Sequence, residues 1–177
     1  LPALSIVEEK EVGTIEQMNV SPVSRFTFTL SKLIPYWAIG IFVLIAAMMI
    51  AHLVYGLLPA GSFWVILLGT VLFILTISGF SLTAANFSDT MQQIMFILFF
   101  FIMIFILMSG LLTPIDSMPD WAQTFTLLLP PRYFVDILRS VYLKGTTLSE
   151  LWQDFVALGS FSVLFNILAA VTYKKQA

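Results

Sequence analysis

Few residues of this chain have side chains that commonly do chemistry. The chain contains one histidine and no cysteine, so it has no thiol nucleophile, thiolate metal site or disulfide. His52 lies near the end of an apolar stretch, where a histidine is either a hydrogen-bonded packing residue or a ligand or proton relay. Because the one histidine lies inside an apolar span, no Ser/His/Asp arrangement is credible, and the sequence has no Gly-x-x-x-x-Gly-Lys-Ser/Thr phosphate loop. ATP binding through that loop and triad hydrolysis are therefore excluded.

Asp136 and Arg139 form the remaining acid–base candidate. They are three residues apart, a spacing that fits either a catalytic pair or a surface ion pair along a helix. Asp136 can pair in this way with Arg139 and with Arg132, each pair worth about 0.2–0.5 kcal/mol. Metal-ligand spacing is absent, and no pair of carboxylates falls within one apolar segment, as a proton-coupled carrier would require. We therefore expect no cofactor on this chain and an energy source on a separate subunit.

Composition places the chain in a lipid bilayer. Hydrophobic residues make up 59% and charged residues 10% of the sequence, against roughly 25% charged in soluble domains. No Lys, Arg, Asp or Glu occurs from Leu33 to Ser88. These patterns are typical of an integral membrane protein. The net charge of −2 gives no basis for a nucleic-acid partner.

The apolar segments predict an all-α, polytopic bundle of about four membrane spans within a single domain, 1–177. The predicted spans are 33–55, 62–85, 91–112 and 155–173. The second is rich in small and hydroxylated residues, which favours close helix packing or, alternatively, a polar substrate path. Leu1 to Val7 resembles the tail of an apolar segment, so we expect a further span upstream.

Residues 117–145 break the pattern of simple spans and predict interfacial helices. Ser117, followed three residues later by Asp120, favours a helix start. A second helix is predicted from Pro131 to Lys144, with Gly145 as its stop. Its apolar residues repeat at helical spacing and its charged residues gather opposite, which is typical of a helix lying at a membrane surface; the apolar positions are Phe134, Ile137, Leu138 and Val141.

The most charged stretch is 8–22. Val12, Ile15 and Met18 recur every three residues beside acidic flanks, which predicts a surface helix that offers one face to a soluble partner. An ordinary solvated loop between spans is the alternative.

This stretch resembles a segment of type-two ATP-binding-cassette exporter permeases. The matching residues are Glu8 to Glu11, Gly13-Thr14, Glu16-Gln17 and Ser21-Pro22, followed by Arg25, Lys32 and Pro35. Leu129 to Phe134, with Ile137, Arg139 and Leu143 to Gly145, is similar to the outer helices between the last two spans of the same family. The resemblance covers nearly the whole chain but only the later part of such a permease.

The resemblance implies roles for particular residues. The segment 8–22 would be the cytosolic coupling helix that docks on a cytosolic ATPase, with coupling residues Glu9, Glu11, Gly13, Thr14 and Glu16. The third span would line the substrate path between two permease chains, and we assign Gln92, Met95, Phe99, Met103 and Ser109 to this path. A span that faces lipid and packs against other helices is the alternative. The segment 117–145 would help to close the exit as an outer gate, through Pro131, Arg132, Phe134, Asp136 and Arg139.

Four spans place both ends of the chain on one side of the membrane. That side carries more Lys and Arg than the other (Lys10, Arg25, Lys32, Lys174 and Lys175 against Arg132, Arg139 and Lys144), which favours cytosolic termini in the cell membrane. We expect a permease subunit that exports its substrate while ATP is bound by a partner ATPase. A non-transporting membrane scaffold and an intramembrane enzyme are the alternatives. The pairing of identical or different permease chains stays open.

Overall fold

The computed structural model describes residues 2–12 and 25–175, and this part of the chain is built from α-helices. The helices are α1 (Pro2–Glu11), α2 (Arg25–Tyr55), α3 (Phe63–Asn86), α4 (Met91–Met108), α5 (Asp120–Thr126), α6 (Pro130–Arg139) and α7 (Trp152–Lys175). A 3-10 turn, Ile115–Ser117, precedes α5, and a π turn, Ser140–Lys144, continues α6.

Four of these helices are long and apolar enough to cross a membrane. Their candidate spans are Thr29–Tyr55, Phe63–Asn86, Met91–Met108 and Trp152–Thr172. The predicted all-α bundle with about four spans is therefore confirmed. We name the end of the bundle that holds α1 and the α3–α4 turn the proximal end, and the end that holds residues 109–151 the distal end.

Two helices begin or end at other residues than the predicted spans, because hydropathy alone does not locate helix ends. Helix α2 begins at Arg25 rather than at Leu33, so Pro35 lies inside the helix and not in its first turn. Helix α4 ends at Met108, and Gly110 then adopts a positive φ of 82°. Glycine tolerates that conformation without strain, so the chain can turn there.

Helices α3 and α7 form the central pair of the bundle. At Gly79, a Cβ atom would lie 2.8 Å from the backbone nitrogen of Asn166, so the two helices approach closely. Side chains bond across the interface: Asn166 Nδ2 donates to Leu75 O at 3.1 Å, and Asn86 Nδ2 donates to Ala169 O at 3.0 Å. The prediction that the small residues of the second span, now α3, serve helix packing is thus confirmed.

Helices α2 and α4 flank this pair and leave broad apolar faces exposed. On α2, Trp37 Nε1 donates to Ser78 Oγ at 2.8 Å, while Phe42 and Leu53 on the same helix are 70% and 75% exposed. On α4, Ile94 and Leu98 are buried, and the aromatic residues on the other side are exposed. Such faces suit contact with lipid or with another chain in the membrane.

The distal segment starts differently from the prediction. Ser117 does not cap a helix, because it ends the 3-10 turn and its hydroxyl donates to Pro114 O at 2.7 Å. Helix α5 begins at Asp120 after Pro119, whose ring already fixes an extended entry. Gly145 ends the π turn in the left-handed conformation at φ 70°, as predicted for the helix stop.

Candidate functional site

The end of α1 packs into the proximal end of the bundle. Ala3, Ile6 and Val7 are buried, with exposures of 4% or less, in one apolar cluster with Ala84 and Ala85 of α3 and Ile94 and Leu98 of α4. This cluster fixes α1 against the α3–α4 turn. It also fixes where the charged residues that follow on α1 must lie.

Glu9 connects α1 to α2. Its carboxylate forms an ion pair with Lys32, which lies near the start of α2. The same ammonium donates to Ser5 Oγ at 3.0 Å and to Ser5 O at 3.2 Å. Lys32 therefore binds one turn of α1 at two points.

Lys10 connects α1 to the end of α3. Its Nζ donates to Ala85 O at 2.9 Å and to Asn86 O and Ser88 O at 3.4 Å. Ala85 and Asn86 belong to the last turn of α3, where carbonyl groups lack partners within the helix, and Ser88 lies just beyond it. A cation is favoured at this negative end of the helix dipole. Burial lowers the pKa of the Lys10 ammonium, and the carboxylate of Asp89 opposes that shift.

Glu11 connects α1 to the start of α4. Its Oε2 accepts a hydrogen bond from the backbone N–H of Met91 at 2.9 Å, at the positive end of that helix. The side chain of Thr90 caps the same helix by accepting from Gln93 N at 3.2 Å. The cap is thus Thr90 and not its acidic neighbour Asp89.

Three consecutive charged residues of α1 therefore reach three different helices. We name Glu9, Lys10 and Glu11, with their bonded partners, the proximal cluster. Successive residues of an α-helix point about 100° apart, so neighbours in sequence face different directions. The sequence indicated Glu9 and Glu11, but it gave Lys10 no role. Gly13, Thr14 and Glu16 lie outside the described residues, and the coupling role of all five predicted residues stays a prediction.

The predicted substrate-path residues separate into two groups. Gln92, Met95, Phe99 and Met103 lie on one exposed side of α4, since they follow each other at intervals of three and four residues, and Phe99 is 61% exposed. Ser109 is buried, and its hydroxyl donates to Ile106 O at 3.2 Å within its own chain segment. The structure therefore groups four of the five residues, and their role stays a prediction.

The predicted outer-gate residues meet at the distal end on α6. Pro131 is buried, and Phe134 stacks on Phe73 of α3 with ring centroids 4.3 Å apart. Arg132 donates to Thr126 Oγ1 at 2.5 Å and to Gln123 O at 3.3 Å, at the end of α5.

The expected ion pairs along α6 do not form. Among the described residues, no ion pair joins Asp136 to Arg132 or to Arg139. Arg139 Nη2 instead donates to Gly110 O at 3.0 Å, just beyond the end of α4. Both arginines therefore bond oxygen atoms at the ends of neighbouring helices, where acceptors lack intrahelical partners.

Asp136 lies half-buried between these arginines in the sequence of α6. Burial raises the pKa of its carboxyl group, and the positive charges of Arg132 and Arg139 oppose that rise. His52 is exposed on α2. Across residues 2–12 and 25–175, no group of three or more His, Asp or Glu residues is arranged to hold a metal ion.

Comparison with known proteins identifies relatives of the whole described chain. The family model described as ABC-2 family transporter protein matches residues 2–171. The probable multidrug ABC transporter permease YbhR of Escherichia coli K12 is 33% identical over 152 residues, which cover 86% of this chain and 41% of the relative. The probable multidrug ABC transporter permease YbhS of the same organism is 28% identical over 177 residues, covering 99% and 47%.

A third relative is the inner membrane transport permease YhhJ of Escherichia coli K12, 24% identical over 179 residues, which cover 99% of this chain and 47% of the relative. The chain thus spans less than half the length of these relatives. No solved structure matches it significantly. The chain belongs to the ABC-2 family of transporter proteins, as a permease domain of a type-two ATP-binding-cassette transporter.

Proposed function

We propose that this chain is part of a permease subunit of an ATP-driven exporter in a bacterial-type inner membrane. A separate cytosolic ATPase binds ATP and pushes on segment 8–22, which lies at the cytosolic side with both ends of the chain. The movement opens a path for the substrate between two permease chains. The permease itself supplies the gate and not the hydrolysis.

The proximal cluster is the observation that carries this proposal. Glu9, Lys10 and Glu11 are the last charged residues before segment 13–24, and they bond to Lys32, to the end of α3 and to Met91 N. If the chain after Val12 moves, these bonds therefore pull on the start of α2, the end of α3 and the start of α4 together. These bonds hold α1 to three helices at once, whereas a solvated loop would make no such bonds.

The exposed face of α4 supports the position of the path. Met95, Phe99 and Met103 have no neighbouring helix on their side of the described chain and form an apolar surface with exposures of 45–61%. Met adapts its shape and Phe provides a broad apolar area. A second permease chain placed against this face would enclose a path suited to amphipathic or lipid-like substrates.

The first test removes the carboxylates of the coupling segment. In the full permease, Glu9→Gln, Glu11→Gln and Glu16→Gln are combined and the variant is reconstituted with its ATPase. We expect ATPase association and coupled ATP hydrolysis to fall by about tenfold, within the range of coupling energies between sites. Co-purification and phosphate release measure these quantities.

Asp120→Asn is the matched control, because it removes an exposed carboxylate at the distal end. It should leave both quantities unchanged. If the triple variant binds and stimulates the ATPase like the unmodified permease, segment 8–22 is not the coupling element. If the ATPase binds normally but no substrate moves in any variant, a membrane scaffold describes the chain better than an exporter.

A further inference from the structure

The start of α3 and the π turn bond to each other through their backbones. The N–H groups of Ala60 and Gly61 donate to Tyr142 O and Val141 O, both at 3.0 Å. Ala60 and Gly61 lie just before Ser62, the N-cap of α3, so these bonds join the turn that enters α3 to the end of the π turn. The positive end of the α3 dipole thereby meets the negative end of α6 and its π turn.

Two glycines allow this approach. A Cβ atom at Gly61 would lie 2.9 Å from Val141 O, and one at Gly145 would lie 3.2 Å from Ala60 O. Gly145 also needs its positive φ of 70°, which side chains disfavour. The backbones of the two segments are therefore in direct contact, without side chains to act as a flexible spacer.

The same contact continues along the helices. Ile137 of α6 is completely buried, and a Cβ atom at Gly69 of α3 would lie 3.1 Å from its Cγ2. One turn further, Phe134 stacks on Phe73 with an interplanar angle of 2°. On the other side, Ile137 shares an apolar cluster with Phe155 and Leu158 of α7. Helix α6 is thus packed against both members of the central pair.

The contact of α6 with α4 differs from its contact with α3. Helix α6 also lies close to α4, and the hydrogen bond at the end of α4 is made by the Arg139 side chain, which donates to Gly110 O. A long side chain can change rotamer and follow a moving acceptor, whereas the backbone bonds and the buried Ile137 cannot follow a separation of α6 from α3.

We propose that α6 and the π turn move as one body with α3 and α7, so that the exit does not open by a hinge of the distal segment alone. The inference rests on the proposed function. Lys10 bonds the proximal end of α3, so a push on α1 would reach the distal surface through α3 itself. The movement at the exit would then occur between this body and α4.

Cysteine pairs test the proposal directly, because residues 1–177 contain no cysteine; any cysteine elsewhere in the full permease is first replaced by serine. The first pair is Ala60→Cys with Gly145→Cys, since a Cβ at Gly145 would lie 3.5 Å from the Ala60 Cβ, within the range of about 3.5–4.5 Å found in disulfides. The second pair is Gly69→Cys with Ile137→Cys. It avoids the positive φ of Gly145, and the added and removed side-chain volumes partly compensate.

Both pairs are measured in the full permease bound to its ATPase, once with ADP and once with ATP and vanadate. Disulfide formation is followed by the loss of thiols that react with a polyethylene glycol maleimide, and ATP hydrolysis is measured before and after reduction. We expect equal oxidation rates in the two nucleotide states and unchanged hydrolysis in the oxidised protein. The single variants Ala60→Cys and Gly69→Cys serve as controls.

A rate that falls severalfold in one nucleotide state would overturn the proposal, as would hydrolysis that stops on oxidation and returns on reduction. Failure of both pairs to form a disulfide in a permease that still binds the ATPase would also overturn it. If the unmodified permease neither binds the ATPase nor supports hydrolysis, the proposed function is wrong. The inference, which rests on that function, is then wrong as well.

Discussion

Asp136 shows how burial at the distal surface acts on a single residue. Its carboxyl group is half-buried, and desolvation raises its pKa above the usual 3.8 despite the attraction of Arg132 and Arg139. The folded state therefore binds the proton more tightly than the unfolded state. The cost of the charged form is absent below the unfolded pKa, grows as the pH rises from the unfolded towards the folded pKa, and is complete above the folded pKa.

Asp136→Asn should remove this cost. We expect the unmodified permease in detergent to gain thermal stability as the pH falls from neutral towards the usual carboxyl pKa, and the variant to show a higher Tm at neutral pH with a smaller pH dependence. Differential scanning fluorimetry across this range measures both. Asp120→Asn, at an exposed position of the same segment, is the control. A variant less stable than the unmodified chain at neutral pH would show that attraction to the nearby arginines outweighs desolvation.

At the scale of the helix, the sequence predicted which faces pack but not which helix each face meets. The small and hydroxylated residues of α3 marked a packing face because close approach in lipid requires small side chains. That α7 fills this face depends on a contact between residues far apart in sequence, such as Asn86 with Ala169 O. Periodicity along one helix contains no information about such a partner.

The partners of the charged residues at the proximal and distal ends could not be predicted for the same reason. Local rules located the π turn's stop at Gly145 because the left-handed conformation is a property of one residue. Lys10, Arg132 and Arg139 instead bond carbonyl groups of other helices. Their partners are known only once the helices are packed, so an i+3 or i+4 rule assigned the arginines to Asp136 wrongly.

Gly79→Ala tests the α3–α7 interface. The added Cβ would lie 2.8–2.9 Å from the Asn166 nitrogen atoms and the Phe165 carbonyl carbon, and two of these three atoms belong to the backbone and cannot turn away. We expect a loss of about 1–3 kcal/mol, as is usual for overpacking a well-packed interface. Unfolding in mixed micelles with increasing sodium dodecyl sulfate measures the free energy.

Gly159→Ala is the matched control for that change. Gly159 lies on α7, and a Cβ atom there would have no neighbour within 4 Å. Replacing a helical glycine by alanine without a clash is neutral or stabilising by up to about 1 kcal/mol. Equal stability of the two variants would mean that α3 and α7 are less closely packed than described.

On the scale of the whole molecule, the hydrogen bonds and ion pairs of charged side chains lie at the two ends of the bundle, and the exposed apolar surface lies on its two flanks. The proximal end joins α1 to α2, α3 and α4, and the distal end joins α6 to α3 and α7. The flanks formed by α2 and α4 expose apolar side chains. This arrangement fits a gate whose two ends are connected through α3, and it requires the two ends to face opposite sides of the membrane.

The two ends should therefore be accessible from opposite sides of the membrane. Val12 and Leu143 are exposed at the proximal and distal ends, by 74% and 65%. Each is replaced by cysteine in the full permease, where residues 1–177 contain no cysteine and any other cysteine is replaced by serine. A charged maleimide that cannot cross the membrane should label Leu143→Cys in intact cells, and Val12→Cys only in inverted vesicles. The positive-inside bias favours this orientation weakly, since Lys and Arg occur on both sides. Labelling of Val12→Cys from outside would place segment 8–22 where no cytosolic ATPase can push it, and the exporter mechanism would have to be abandoned.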